Sequence, residues 1–227
     1  DENDAEPQET KNRLRETLSA FTDPFSIDPP EFYYRVKIHK KNRVQPIITN
    51  EEKFGRDDLL GMEHYIEGTF DRYGVFKGTV RAFGDAPFSV TLAPQRPPPQ
   101  RGAGYVGPFR FCIGTYEQLA RNTTHTAEYH RVLDNKADHY GGLCVYRDGL
   151  RVMPYGRADA DYFRIEERRT RHAGREFWSF RRSFGRIGIS FGENANLRDK
   201  AGREGLIDNK ALRELRILVI DVLRRSA

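Results

Sequence analysis

The chain reads as an α+β protein built on a mainly antiparallel sheet with helices on one face, and three observations lead there. Strand-like alternation recurs between residues 31 and 93 without a long helical period to interrupt it. The stretch GGLCVYRDGLRVMPYG, residues 141–156, places an apolar run on either side of Arg147-Asp148-Gly149, which is hairpin chemistry. The chain then closes on a helical period, with Leu212, Leu215, Val219 and Val222 on one face.

Taken in order, residues 1–10 carry five acids and no Lys or Arg, a flexible, solvated start. Residues 9–21 space Leu14, Leu18 and Phe21 for a helix that ends near Asp23-Pro24. Phe32, Tyr34, Val36 and Ile38 alternate as a strand over 31–40, and 62–83 supplies two further strands about a turn at 71–74. Another strand covers 87–93, and the Pro- and Gly-rich residues 95–107 form a loop that ends this β-rich N-terminal part, residues 11–107. The second part, 108–227, returns to strand at VGPFRFCIGTY and turns helical over 126–140. In the hairpin that follows, Leu143, Val145, Leu150 and Val152 face one way, and Cys144, Tyr146, Arg151 and Met153 the other. A strand over 180–191, a polar loop and a helix from about Asp208 complete the chain.

Composition removes several classes of function. A hydrophobic share of 37% against 31% charged residues suits a soluble protein with a polar surface. No apolar run approaches the roughly 20 residues that a membrane helix needs, and the acidic start lacks the order of a signal peptide. A cytoplasmic protein with no membrane partner is expected. Cys112 and Cys144 lie far apart in apolar runs and read as buried, reduced thiols; His125, His130 and His139 read as solvated helix histidines. Neither set has metal-ligand spacing. Gly102, Gly104 and Gly107 spell a dinucleotide fingerprint, but prolines precede them and a strand follows, where the motif needs strand before and helix after. Asn122-Thr123-Thr124 spells a glycosylation acceptor without consequence in a reducing compartment. With no nucleophile elbow, phosphate loop or paired carboxylates, no catalytic residue is assigned.

Charge is unevenly spread. Net charge is +5, yet residues 147–186 hold eleven Arg against six acids. Two readings stay open. Arg168, Arg169, Arg171, Arg181 and Arg182 can follow a nucleic-acid backbone, with DNA as partner. Otherwise the segment forms long, solvent-facing strands whose Arg stems cover apolar neighbours.

The last stretch, GRIGISFGENANLRDKAGREGLIDNKALRELRILVIDVL, residues 185–223, joins a strand to a helix through a loop rich in Asn and charge. This strand, the loop NLRDKAGREGLIDNKA, the closing helix and the hairpin before them resemble the second domain of bacterial GHKL-type ATPases, a family that includes gyrase, MutL and the heat-shock ATPases. The likeness is strongest over residues 141–223 and tends toward MutL-like and MORC-like members. It implies a transducer domain with the ribosomal-protein-five-like α+β fold, in which a basic side chain of the strand-to-helix loop reaches the terminal phosphate of ATP. Lys200 is the first candidate by its place in the loop, followed by Arg203 and Arg198. The family's nucleotide motifs, a helix with Glu and Asn four apart, Asp-x-Gly-x-Gly and a Gly-rich lid, are missing from these residues. The resemblance therefore implies a region inactive by itself, with ATP and Mg held by an upstream ATPase domain of the same polypeptide.

Overall fold

The computed structural model describes residues 14, 23–26, 37–40, 43–46, 54–117, 119, 121–171, 177–202 and 204–226. The proposed acidic start, the helix over 9–21 except Leu14, and the first half of the strand over 31–40 lie outside them. A two-stranded hairpin, β1 (Lys37–Lys40) with β2 (Arg43–Pro46), stands apart from the main sheet. A short helix, α1 (Arg56–Leu60), leads into β3 (His64–Phe70), β4 (Phe76–Arg81) and β5 (Phe88–Leu92), an antiparallel meander. β6 (Phe109–Thr115) pairs back onto β3, and α2 (Ala127–Tyr140) follows. After it come β7 (Gly142–Arg147), β8 (Leu150–Val152), α3 (Ile165–Arg171), β9 (Ser183–Ile189) and α4 (Lys210–Arg225).

One mixed sheet of seven strands results, in the order β5-β4-β3-β6-β9-β7-β8. Every neighbouring pair is antiparallel except β7 with β9. The α+β class is as expected, and strands from both sides of the loop at 95–107 share the sheet. In the β7–β8 turn, Asp148 and Gly149 both take positive φ, 48° and 81°. That combination belongs to the two-residue turn whose twist matches a hairpin.

Helices cover both faces rather than one. Alternation sends Ile66, Phe111, Leu143, Val145 and Ile187 into a core with Leu212, Leu215, Val219 and Val222 of α4. It sends Tyr65, Cys112, Cys144, Tyr146 and Phe184 into a second core with Leu59 of α1 and Leu133 and Ala137 of α2. The central strands are apolar on both sides, so each face requires a cover. Burying one such side chain contributes about 1.5–3 kcal/mol. Both cysteines are free and buried, and burial pushes the Cys112 thiol up to about 12. His130, expected in solvent, is buried instead, with Nε2 at 3.0 Å from the Glu117 carbonyl.

The Arg-rich segment also departs from expectation. Arg168, Arg169 and Arg171 sit on a helix, not on strands. Asp161 starts it by accepting from Ile165 N and Glu166 N, both at 2.8 Å. Acids fill its first turn and arginines its last, the arrangement that a helix dipole favours. Among the described residues no helix is long and apolar enough to cross a membrane.

Candidate functional site

The loop from 190 to 209 joins β9 to α4 and is held at nearly every polar position of its base. Asn194, buried, donates Nδ2 to the Gly107 carbonyl at 3.0 Å and accepts from Ser190 N at 3.1 Å. Asn196 donates to the carbonyls of Gly102 and Tyr105, both at 3.0 Å. Asn209 caps α4 by accepting from Leu212 N at 3.0 Å, while its Nδ2 reaches the Asn196 carbonyl at 2.8 Å. Three asparagines therefore tie the loop to the Gly-rich segment, to itself and to the helix it precedes.

Beyond this base the chain narrows into a neck. Lys200 N donates to the Gly205 carbonyl at 2.9 Å, and Ile207 N to the Arg198 carbonyl at 2.8 Å. Asp199 and Leu206 form the β-bridge between them. Gly205 closes the neck at φ +102°, a conformation that L side chains rarely adopt. Two outside groups brace it. Arg147, at the end of β7, donates to Asp199 Oδ2 at 2.6 Å and to the Leu197 carbonyl, with a side chain only 10% exposed. The Tyr155 hydroxyl accepts from Leu206 N at 3.2 Å. Burial pushes the Tyr155 phenol up, and the Leu206 amide opposes that shift.

The tip comprises, among the described residues, Lys200, Ala201, Gly202 and Glu204, all exposed. Lys200 is exposed and forms no ion pair among the described residues. Arg198, also exposed, is in the same state, whereas Arg203 lies outside the described residues. Asp208, in the loop's return, is engaged by Arg213 at 3.0 Å. That hydrogen bond is the main reason its carboxyl is held below the usual range, with Arg216 and Lys200 adding smaller contributions. The arrangement presents a cation on a braced stalk. Such a charge can meet an anion without first giving up a protein partner.

Four of the other five proposed cations already have protein partners. Arg169 pairs with Glu166 at 3.8 Å and Arg171 with Glu167 at 2.9 Å, along α3 itself. Arg168 Nε donates to the Arg164 carbonyl at 3.1 Å. Arg182, in the 3-10 turn before β9, binds Asp134 and donates to the Tyr116 hydroxyl at 3.0 Å. Arg181, its neighbour, is exposed.

Sequence reasoning missed Arg147 and Tyr155 as braces of the loop. Arg147 reads as the first residue of a hairpin turn, and only the parallel pairing of β7 with β9 brings it beside Leu197 and Asp199. Asn209, by contrast, was available as a helix cap from its place before a helical period. Among the described residues no group of three or more His, Cys, Asp or Glu converges to hold a metal ion. Comparisons of the chain with protein-family models, with curated proteins and with solved structures found no match.

Proposed function

We propose that this chain is the transducer region of a GHKL-type ATP-binding protein, and that it couples nucleotide state in a preceding ATPase domain to movement of its own sheet and helices. The observation that carries the reading is the contrast within one loop. Its base and neck are fixed by three asparagines, Arg147 and Tyr155, while Lys200 at the tip has no ion-pair partner among the described residues. The resemblance of residues 141–223 to the family supports the same assignment.

In this proposal ATP and Mg belong to the preceding domain, and the terminal phosphate supplies a dense negative charge there. Lys200 binds that charge before hydrolysis and loses its partner afterwards. The stalk makes the change matter. A pull on the tip is carried through the neck to the end of β7 by Arg147 and to the start of α4 by Asn209, rather than being absorbed by slack chain.

The test is steady-state ATP hydrolysis by the complete gene product. Lys200→Ala is expected to lower turnover about a hundredfold, corresponding to about 3 kcal/mol of lost transition-state stabilisation. Its melting temperature should stay unchanged, because an exposed side chain without a pair contributes little to folding. Unchanged turnover and nucleotide affinity in each of Arg198→Ala, Lys200→Ala and Arg203→Ala would make the loop structural.

A further inference from the structure

A cavity of about 350 Å³ lies over β3, β4 and β5, at one edge of the sheet. Its floor follows from the pairing. Ile66 lies opposite Val80 and Val80 opposite Phe88, so the three share one face, with Val90 and Leu92 beside them. Helix α4 packs on that face over the central strands and ends at Arg225, where Arg225 and Ser226 form part of the cavity wall. The apolar surface of β4 and β5 therefore runs on past its helical cover. Phe83, Phe88 and Phe177 complete the lining and remain 57%, 55% and 37% exposed. Exposed apolar side chains gathered at one place mark a binding surface more often than scattered ones do.

One polar group in this wall lacks a partner. His64 is 5% exposed, and its Nε2 makes no hydrogen bond among the described residues. Its Nδ1 accepts from Phe83 N at 3.5 Å, which leaves the ring proton on Nε2. Burial lowers the imidazole's pKa, with Glu63 and Glu117 opposing, so the ring is neutral at pH 7. The rings of Phe83 and Phe177 cover it edge-on, at 4.4 and 4.6 Å between centroids, and a π face is only a weak acceptor. The other polar side chains of the wall are engaged. Ser226 accepts from Trp178 Nε1 and donates to the Leu223 carbonyl, and Arg225 donates to the Ala93 carbonyl and to Asp221. A buried N–H without an acceptor carries a desolvation penalty, which a ligand oxygen placed against it removes.

The cover is made of parts that move. Phe83 has φ +49°, a conformation uncommon for a bulky side chain, in a turn closed by Asp85 N on the Ala82 carbonyl. Strain of this kind concentrates at ligand clamps. Exposed side chains such as Phe83 and Phe177 change rotamer within nanoseconds. With either ring swung aside, the cavity offers flat apolar walls and a single neutral donor. Its volume falls within the range of about 300–1,000 Å³ common for small-molecule sites.

We propose that this cavity binds an uncharged, ring-containing small molecule whose carbonyl oxygen accepts from His64 Nε2, with its ring held among Val80, Val90, Phe83 and Phe177. The site shares no residue with the loop that carries Lys200 and does not rest on the transducer reading.

Three matched probes test it by titration of the chain: 2-acetylnaphthalene, its isostere 2-isopropenylnaphthalene, which has a methylene in place of the carbonyl oxygen, and 2-naphthoate. The ketone is expected to bind saturably at submillimolar concentration and about tenfold more tightly than the alkene. His64→Leu should abolish that preference while leaving the alkene's affinity unchanged. A second readout needs no variant: in the parent labelled with ¹⁵N-histidine, the His64 Nε2 proton should move downfield with the ketone and not with the alkene. The proposal is overturned if the ketone does not bind, if ketone and alkene bind alike, if His64→Leu keeps the preference, or if the His64 resonance stays in place. Tighter binding of the naphthoate than of the ketone would also overturn it, by making Arg225 rather than His64 the group that selects the ligand.

Discussion

Replacing Arg147 by Met separates the brace of the loop from its tip. The Met side chain retains an apolar stem in a site where Arg147 is 10% exposed, but it removes both donors of the neck. Two bonds are lost, one to Asp199 Oδ2 and one to the Leu197 carbonyl. Asp199 is 43% exposed and recovers most of its solvation from water, so its loss counts at the low end for a charged pair. The Leu197 carbonyl, beside a side chain 1% exposed, keeps a larger penalty. Together they amount to about 2–3 kcal/mol. For a chain of this size each kcal/mol lowers Tm by about 2–4 °C, so a fall of roughly 4–12 °C is expected in a thermal melt. Lys200→Ala is the control and should melt with the parent. Under the proposed function, Arg147→Met should also lower ATP turnover in the complete gene product, since a loosened neck would no longer aim Lys200. A melt within about 2 °C of the parent would refute the claim that Arg147 holds the loop.

Two other outcomes follow from buried or paired charges. The Glu63 carboxylate, 1% exposed, accepts from Glu117 N at 2.6 Å, from both hydroxyls of Thr123 and Thr124, and from Thr124 N. Burial acts to raise its carboxyl, but these donors outweigh it and hold the group below the ordinary glutamate range. A lowered folded value adds stability above the unfolded value, near 4.3, and that stability is lost as pH falls through the folded one. Glu63→Gln, which turns an amide donor toward these donors, should therefore cost about 2 kcal/mol in denaturant titration at neutral pH, with the gap to the parent shrinking below about pH 4. A gap independent of pH would contradict this. Replacing Arg168, Arg169 and Arg171 together by Ala should change oligonucleotide affinity at low salt by less than about threefold, because Arg169 and Arg171 already serve Glu166 and Glu167. A flattened salt dependence after the triple replacement would instead place them on a phosphate backbone.

What the sequence disclosed follows the range of its interactions. Strands β3 to β6, the β7–β8 hairpin, α2 and α4 were legible because alternation, the Asp-Gly turn and the period of Leu212, Leu215, Val219 and Val222 are local signals. Helix α3 was missed because its start depends on Asp161, four residues upstream, and its Arg-rich face carries no apolar period. That α2 and α4 take opposite faces was hidden for another reason. It depends on which parity of β6 and β7 each helix meets, and Cys112 and Cys144 gave no hint that they face a second core. At the candidate site the tip cations were visible in the sequence, while the braces Arg147 and Tyr155 come from positions about 50 residues away.

The parallel pairing of β7 with β9 also orders events in time. Antiparallel neighbours such as β3 and β4 are joined by a short turn and can zip as the chain collapses, whereas β7 and β9 meet only after the whole intervening segment with α3 has been laid down. Because both strands end at the same edge, Arg147 reaches the chain leaving Ile189 only once that distant pair has closed. Amides of the neck, at Lys200 and Ile207, should thus gain protection in pulsed hydrogen exchange after those of the β3–β4 pair, and protection in the reverse order would exclude this sequence of steps. A nascent chain would carry its exposed cation on slack backbone until that long-range pair has closed.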